Sequence, residues 1–187
     1  MKRIQTFEKQ IRDYVNNADL YEQHFKNNIE DWISLCVAVD TMEDASLALS
    51  YYENYGMSND DGDKYLKLYG VLQAVFLQQD SIRKLYEIFL NVDFSPEPSS
   101  AWARIRNLRN LSTGHPIKSK GDKYCQIARI TLGKNGFKIL VWDKKERQNV
   151  SEDIDLHELL QSYKEEIAFH LETIHKAQIQ KWGMPQE

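Results

Sequence analysis

Arg109, Asn110 and His115 close a helix-forming run, in the segment Arg109-Asn110-Leu111-Ser112-Thr113-Gly114-His115-Pro116. Arginine is a permanent cation whose planar fork of donors fits phosphate oxygens. Histidine titrates near pH ~6.5 and moves protons in the neutral range. Held a helix turn apart, the two supply charge stabilisation and a general acid or base for phosphate chemistry, with no metal required. The same pair has a plainer use, as a cation and a capping imidazole favouring the negative end of a helix dipole. The elements that position the two residues bear on the choice.

The nearest element is the helix that carries them. Taken from residue 99 to about 113 at ~100° per residue, it places Ala101, Trp102, Ile105, Leu108 and Ser112 on one arc. Arg109 falls inside that arc, between Trp102 and Ile105. An unpaired guanidinium among apolar neighbours is costly, so Arg109 calls for a partner or a ligand. An internal carboxylate such as Glu87 would make it purely structural. Arg106 and Asn110 lie a turn apart on the adjoining flank and can complete one polar edge with Arg109. Ser99 or Ser100 caps the helix after the break at 93–100, which holds Pro96 and Pro98. Gly114 is expected to end it in a left-handed conformation, and Pro116 pushes His115 towards extended backbone.

Upstream, the periodicity predicts helices over 4–15, 18–39 and 45–55, the third started by Asp40 and Glu43. A turn-rich acidic loop at 59–62 precedes a long helix capped by Asp63 and reaching about residue 90. Its face of Tyr65, Leu68, Leu72, Val75, Ile82, Tyr86 and Phe89 makes it the central helix of a bundle. Gln79 projects from that face, with Gln73, Gln78 and Asp80 nearby, and a polar group in an apolar stripe needs a hydrogen-bond partner. Beyond Pro116 the period shortens to two. Residues 124–132 and 137–142 read as strands joined at 133–136, a β-hairpin spanning about 124–142. A helix then restarts at 151–158 and runs to about 182, with a seam of Leu156, Leu160, Tyr163, Ile167, His170, Ile174 and Ala177. His24 reads as a packing or surface residue and His170 as a packing residue. Glu172 and His175 have the spacing of half a di-iron motif without a second copy, so no metal is expected. Cys36 and Cys125 sit on unlike elements and read as free thiols.

A chain of 187 residues suits a single domain, 1–187, mainly α. Its longest apolar run, Leu35 to Val39, is far short of the ~20 residues that span a bilayer. The charged first residues lack a signal core, which predicts a cytoplasmic protein with no membrane partner. A net charge of -4 argues against a general nucleic-acid coat protein. Locally the balance reverses. Between Trp102 and Lys123 the cations are Arg104, Arg106, Arg109, Lys118, Lys120 and Lys123, against the single anion Asp122.

Arg109-Asn110, four more residues and then His115, on the last long helix before a Gly-His-Pro exit, resembles the HEPN superfamily. Its motif is an arginine, often followed by asparagine, four to six residues and a histidine. The resemblance implies a helical bundle in which the hairpin is inserted or appended and the C-terminal helix is long. It also implies a metal-independent endoribonuclease with no cofactor. Arg109 would hold the scissile phosphate, Asn110 would orient the pair, and His115 would act as general acid or base. The RNA's own 2′-hydroxyl would attack, leaving a 2′,3′-cyclic phosphate. Arg106, Lys118 and Lys120 would bind substrate, with Gln79 or Asp80 contributed by the preceding helix. The implied partners are a second copy of the chain, facing it across the motif helices, single-stranded RNA, and an antitoxin or regulatory protein. The implied roles are defence, stress response or a toxin-antitoxin system. In toxins of this superfamily silenced by nucleotide addition, a tyrosine follows two residues after the histidine. Here that position is Ile117, so that regulation is not expected. The alternative is a non-catalytic HEPN-like dimeric module binding RNA, a nucleotide or a protein.

Overall fold

The structure is a computed structural model that describes residues 2–17, 19–117 and 123–183. The expected phosphate contacts Lys118 and Lys120 lie outside the described residues. The chain is mainly helical with one small sheet. In order it forms α1 (Lys2–Val15), a π turn (Tyr21–Phe25), α2 (Ile29–Tyr55), α3 (Asp61–Leu90), α4 (Ala101–Arg109) and a second π turn (Asn110–Gly114). Then come β1 (Lys123–Ile127), a 3₁₀ turn (Arg129–Thr131), β2 (Gly136–Asp143), β3 (Gln148–Asp155) and α5 (Leu156–Trp182). Among the described residues no helix is long and apolar enough to cross a membrane. The chain divides into two compact units. The first is Met1–Leu47, Leu77–Pro96 and Lys164–Glu187; the second is Ala48–Phe76 and Glu97–Tyr163.

The first unit buries Ile11, Leu35, Met42, Ile82, Leu85 and Ile167. Two separate helices were expected over 18–55, yet α2 runs unbroken. It starts at Asn28, whose Oδ1 accepts from the Asp31 amide at 3.3 Å. Asp40 and Glu43, spaced like a helix start, instead hold Arg12, at 2.6 and 2.9 Å. Side-chain pairing to another helix outweighs the capping use of the same acids. His24 stacks on Trp182 with centroids 5.1 Å apart. His170 shares a 2.9 Å hydrogen bond with the Tyr86 hydroxyl, and burial lowers its pKa. His170 packs as expected, and His24, expected to be a packing or surface residue, is exposed with its ring against Trp182.

The second unit buries Leu68, Leu72, Trp102, Ile105, Ile139, Leu156 and Tyr163. Its sheet is antiparallel in the order β1-β2-β3. The hairpin expected over 124–142 is therefore two of three strands, and residues 151–155, expected to be helical, complete β3. Ile154 is buried opposite Phe137 while Asp153 and Asp155 on either side are exposed, so pairing with β2 turns one side chain of β3 inward. The helix begins only after Asp155, whose Oδ1 accepts from the Glu158 amide at 2.8 Å. Gly136 is required where β2 meets β3, because a Cβ there would collide with the Ile154 carbonyl oxygen. One backbone bond, Cys125 N–H to Pro116 carbonyl at 3.1 Å, ties β1 to the segment leaving the second π turn.

Candidate functional site

The motif helix is set by its two ends. Ser100 caps α4, its hydroxyl accepting from the Ala103 amide at 3.1 Å. Ala101, Trp102, Ile105 and Leu108 are buried, as the arc predicted. At the other end the helix widens into a π turn, with the His115 amide donating to the Asn110 carbonyl at 2.9 Å. The hydroxyls of Ser112 and Thr113 donate to the carbonyls of Leu108 and Arg109, at 2.7 and 3.0 Å, and so occupy acceptors in the widened turn. Such π turns recur at functional sites because they re-aim side chains within a helix.

The π turn also changes the role expected of Gly114. Among the described residues the left-handed glycines are Gly56 and Gly183, so Gly114 does not end the helix in that way. Its lack of a side chain leaves room for the Arg109 guanidinium. A Cβ on Gly114 would sit 2.7 Å from Nη1 and 3.4 Å from Cζ of Arg109.

Arg109 is half-buried and held from three sides. Its Nη2 donates to Gln73 Oε1 at 2.9 Å and its Nη1 to Asn110 Oδ1 at 3.2 Å. Its Cζ lies 4.0 Å from the centroid of the Phe76 ring. The Cζ of Arg106 lies 4.3 Å from the same centroid, so two guanidinium groups converge on one aromatic ring. No carboxylate pairs with Arg109 among the described residues, and its Nε is buried without an acceptor. Glu87, the internal partner considered from the sequence, pairs instead with Lys84 at 2.7 Å. Among the described residues the guanidinium is thus positioned by neutral groups.

His115 leaves the turn at φ −141°, ψ 53°. It is exposed, and its imidazole makes no hydrogen bond to a described residue. Asn110 touches Arg109 directly, and Arg106 shares its aromatic ring. Gln79 and Asp80 belong to the first unit, where Gln79 is fully buried and Asp80 is exposed. The α3 residue that reaches Arg109 is Gln73. Sequence reasoning sought a polar group inside the apolar stripe of α3 and so passed over Gln73, which is exposed on that helix. Phe76 and Gly114 were missed as positioning residues. The signal for Phe76 was its placement three residues beyond Gln73, which puts both within one turn. No family model, curated protein or solved structure matches the chain.

Proposed function

We propose that the chain is a HEPN-like, metal-independent endoribonuclease acting as a homodimer on single-stranded RNA, in defence, stress response or a toxin-antitoxin system. One observation carries the reading. A guanidinium fixed by Gln73, Asn110 and Phe76, without a carboxylate among the described residues, stands in the same short turn as an exposed histidine. Arg109 contacts a phosphate oxygen and stabilises the charge that builds there, the larger share of such catalysis. His115 takes or gives the proton as the RNA's 2′-hydroxyl attacks the adjacent phosphorus and the 5′-oxygen leaves. The products are a 2′,3′-cyclic phosphate and a 5′-hydroxyl. A two-fold pairing of motif helices completes each site from its twin.

The test is cleavage of a mixed RNA pool in EDTA with the end groups mapped. His115→Ala should lower the rate by ~100- to 10,000-fold while preserving most RNA affinity, because the imidazole moves protons and adds little to ground-state binding. Arg109→Ala should lose cleavage and weaken binding, and Arg109→Lys should restore little, since a point charge lacks the planar fork. Full activity in His115→Ala, or a requirement for Mg²⁺, would overturn the mechanism. A strictly monomeric mass by light scattering at micromolar concentration would remove the composite site.

A second reading, a HEPN-like dimeric module that binds RNA, a nucleotide or a protein without cutting, is favoured by the His115 imidazole, which no hydrogen bond from a described residue orients. Clean wild-type protein that binds RNA and never cleaves it would select this reading.

A further inference from the structure

Beside the π turn, within the second unit, lies a groove of about 500 Å³ lined by Tyr65, Tyr69, Ser112, Pro116, Gln126 and Arg129, with Cys125 and Ile127 also on its wall. Its volume falls within the ~300–1,000 Å³ of small-molecule sites. The groove abuts the arginine cluster on two elements. Tyr69 lies one turn of α3 before Gln73, which holds Arg109, and Ser112 lies in the turn between Arg109 and His115.

The lining has a consistent chemistry. Two tyrosine rings, 5.8 Å apart and inclined at 59°, line it from α3, and Tyr69 is 45% exposed, leaving much of its surface uncovered. Arg129 brings a cation, Gln126 an amide that both donates and accepts, and among the described residues no anion lines the groove. The nearby acids at the start of α3 are engaged, Asp61 by Lys64 at 3.0 Å and Asp63 by Lys67 at 2.9 Å. Burial raises the Cys125 thiol above its usual range, so that part of the wall is neutral. Aromatic faces with a cation and an amide suit a planar, hydrogen-bonding ring attached to a phosphate. In duplex RNA the bases are stacked away from such a groove, whereas in a single strand they can be splayed out onto it.

We propose that this groove seats one unpaired nucleobase of a single-stranded RNA, next to the phosphate engaged by Arg109. Tyr69 and Tyr65 supply the stacking surface, Gln126 reads the base edge, and Arg129 contacts the neighbouring phosphate. The assignment deepens the ribonuclease reading and rests on it for the choice of RNA. It makes the groove the place where sequence preference around the cut arises.

The experiment is binding and photo-cross-linking of a single-stranded RNA containing 4-thiouridine to the full chain, with a duplex of the same sequence and free nucleoside monophosphates as comparisons. Adducts should map to the peptides holding Tyr65 and Tyr69 or Gln126 to Arg129. Tyr69→Ala should weaken single-strand binding about 5- to 150-fold, the range of one stacking contact. Tyr69→Phe should bind like wild type, since the ring is kept. Adducts confined to other surfaces would overturn the proposal, as would unchanged binding in Tyr69→Ala. So would equal binding of duplex, equal binding of the free nucleotides, or an adduct pattern erased by a protein partner rather than by RNA competitor. The two readings fail separately. RNA bound in a Tyr69-dependent way and never cleaved removes the nuclease and keeps the groove. Cleavage that depends on His115 and is indifferent to Tyr69→Ala keeps the nuclease and removes the groove.

Discussion

Each unit of the chain places one charged side chain against apolar surroundings, and each resolves the problem differently. In the first unit Glu8 is only 4% exposed. The Ser46 hydroxyl donates to its carboxylate, and the Gln78 amide donates to Ser46 Oγ at 2.7 Å. Burial, with a smaller push from Glu43, raises the Glu8 pKa from 4.5 to about 7. A carboxyl can escape the cost of burial by keeping its proton. Arg109 in the second unit has no such escape, because a guanidinium does not deprotonate. It stays half-buried, meets amide oxygens and an aromatic face, and has an exposed histidine in the same turn. A buried acid closed over by neutral donors has the form of a core network; a cation fixed in direction, with no carboxylate on it among the described residues, has the form of a binding site.

Gly114→Ala sharpens that contrast most. The added methyl would come within 2.7 Å of Arg109 Nη1, the movable end of a long side chain, so the guanidinium yields rather than the backbone. The backbone at Gly114 is not left-handed, and replacing a glycine there restricts the unfolded chain. Thermal stability should therefore hold or rise, by up to ~1 kcal/mol. RNA cleavage should fall about 100-fold, the scale of a catalytic group displaced by an ångström. Unfolding and single-turnover kinetics on the same preparation check both. A loss of stability with cleavage intact would show that Gly114 serves the fold and not the arginine.

Glu8→Gln probes the other side. Folded Glu8 holds its proton up to about pH 7, whereas the unfolded chain releases it near 4.5. Its favourable contribution is fully present below pH 4.5 and is lost as pH rises through 7. Glutamine keeps an acceptor for Ser46 without a charge to desolvate. The variant should match wild type at low pH and exceed it by about 1–3 kcal/mol above pH 7. Denaturant midpoints across pH 4 to 8 measure the difference. A pH-independent gap would mean that Glu8 is ionised and satisfied in the fold. Cleavage should not change.

The sequence carried the motif helix well, because a cap at Ser100 and an apolar arc are local signals. It carried the capture of Arg109 poorly. The need for a partner followed from one helix's periodicity, but the choice of Gln73 over Gln79 depends on the helix pairing in space. The π turn was hidden for a different reason, since an i to i+5 bond leaves no mark in a 3.6-residue period. Strand β3 was misread because residues 148–155 are mostly polar, with Ile154 their one buried residue. Only pairing with the neighbouring strand makes them a strand.

The smallest effect separates two glutamines five residues apart on α3. Gln78 is 1% exposed and donates to Ser46, so Gln78→Ala strips a buried network of a donor and should cost about 1–3 kcal/mol of stability. Gln73 is exposed and its bond to Arg109 is partly open to water, so Gln73→Ala should move stability by no more than ~0.5 kcal/mol. The guanidinium then keeps Asn110 and Phe76 but loses one of its three constraints. A single hydrogen bond of about 1 kcal/mol corresponds to roughly fivefold in cleavage rate. Stability and rate should therefore respond in opposite order in the two variants. If Gln73→Ala leaves cleavage unchanged while Gln78→Ala lowers it at temperatures where the protein is still folded, the activity belongs to the first unit's network and the Arg109 assignment falls.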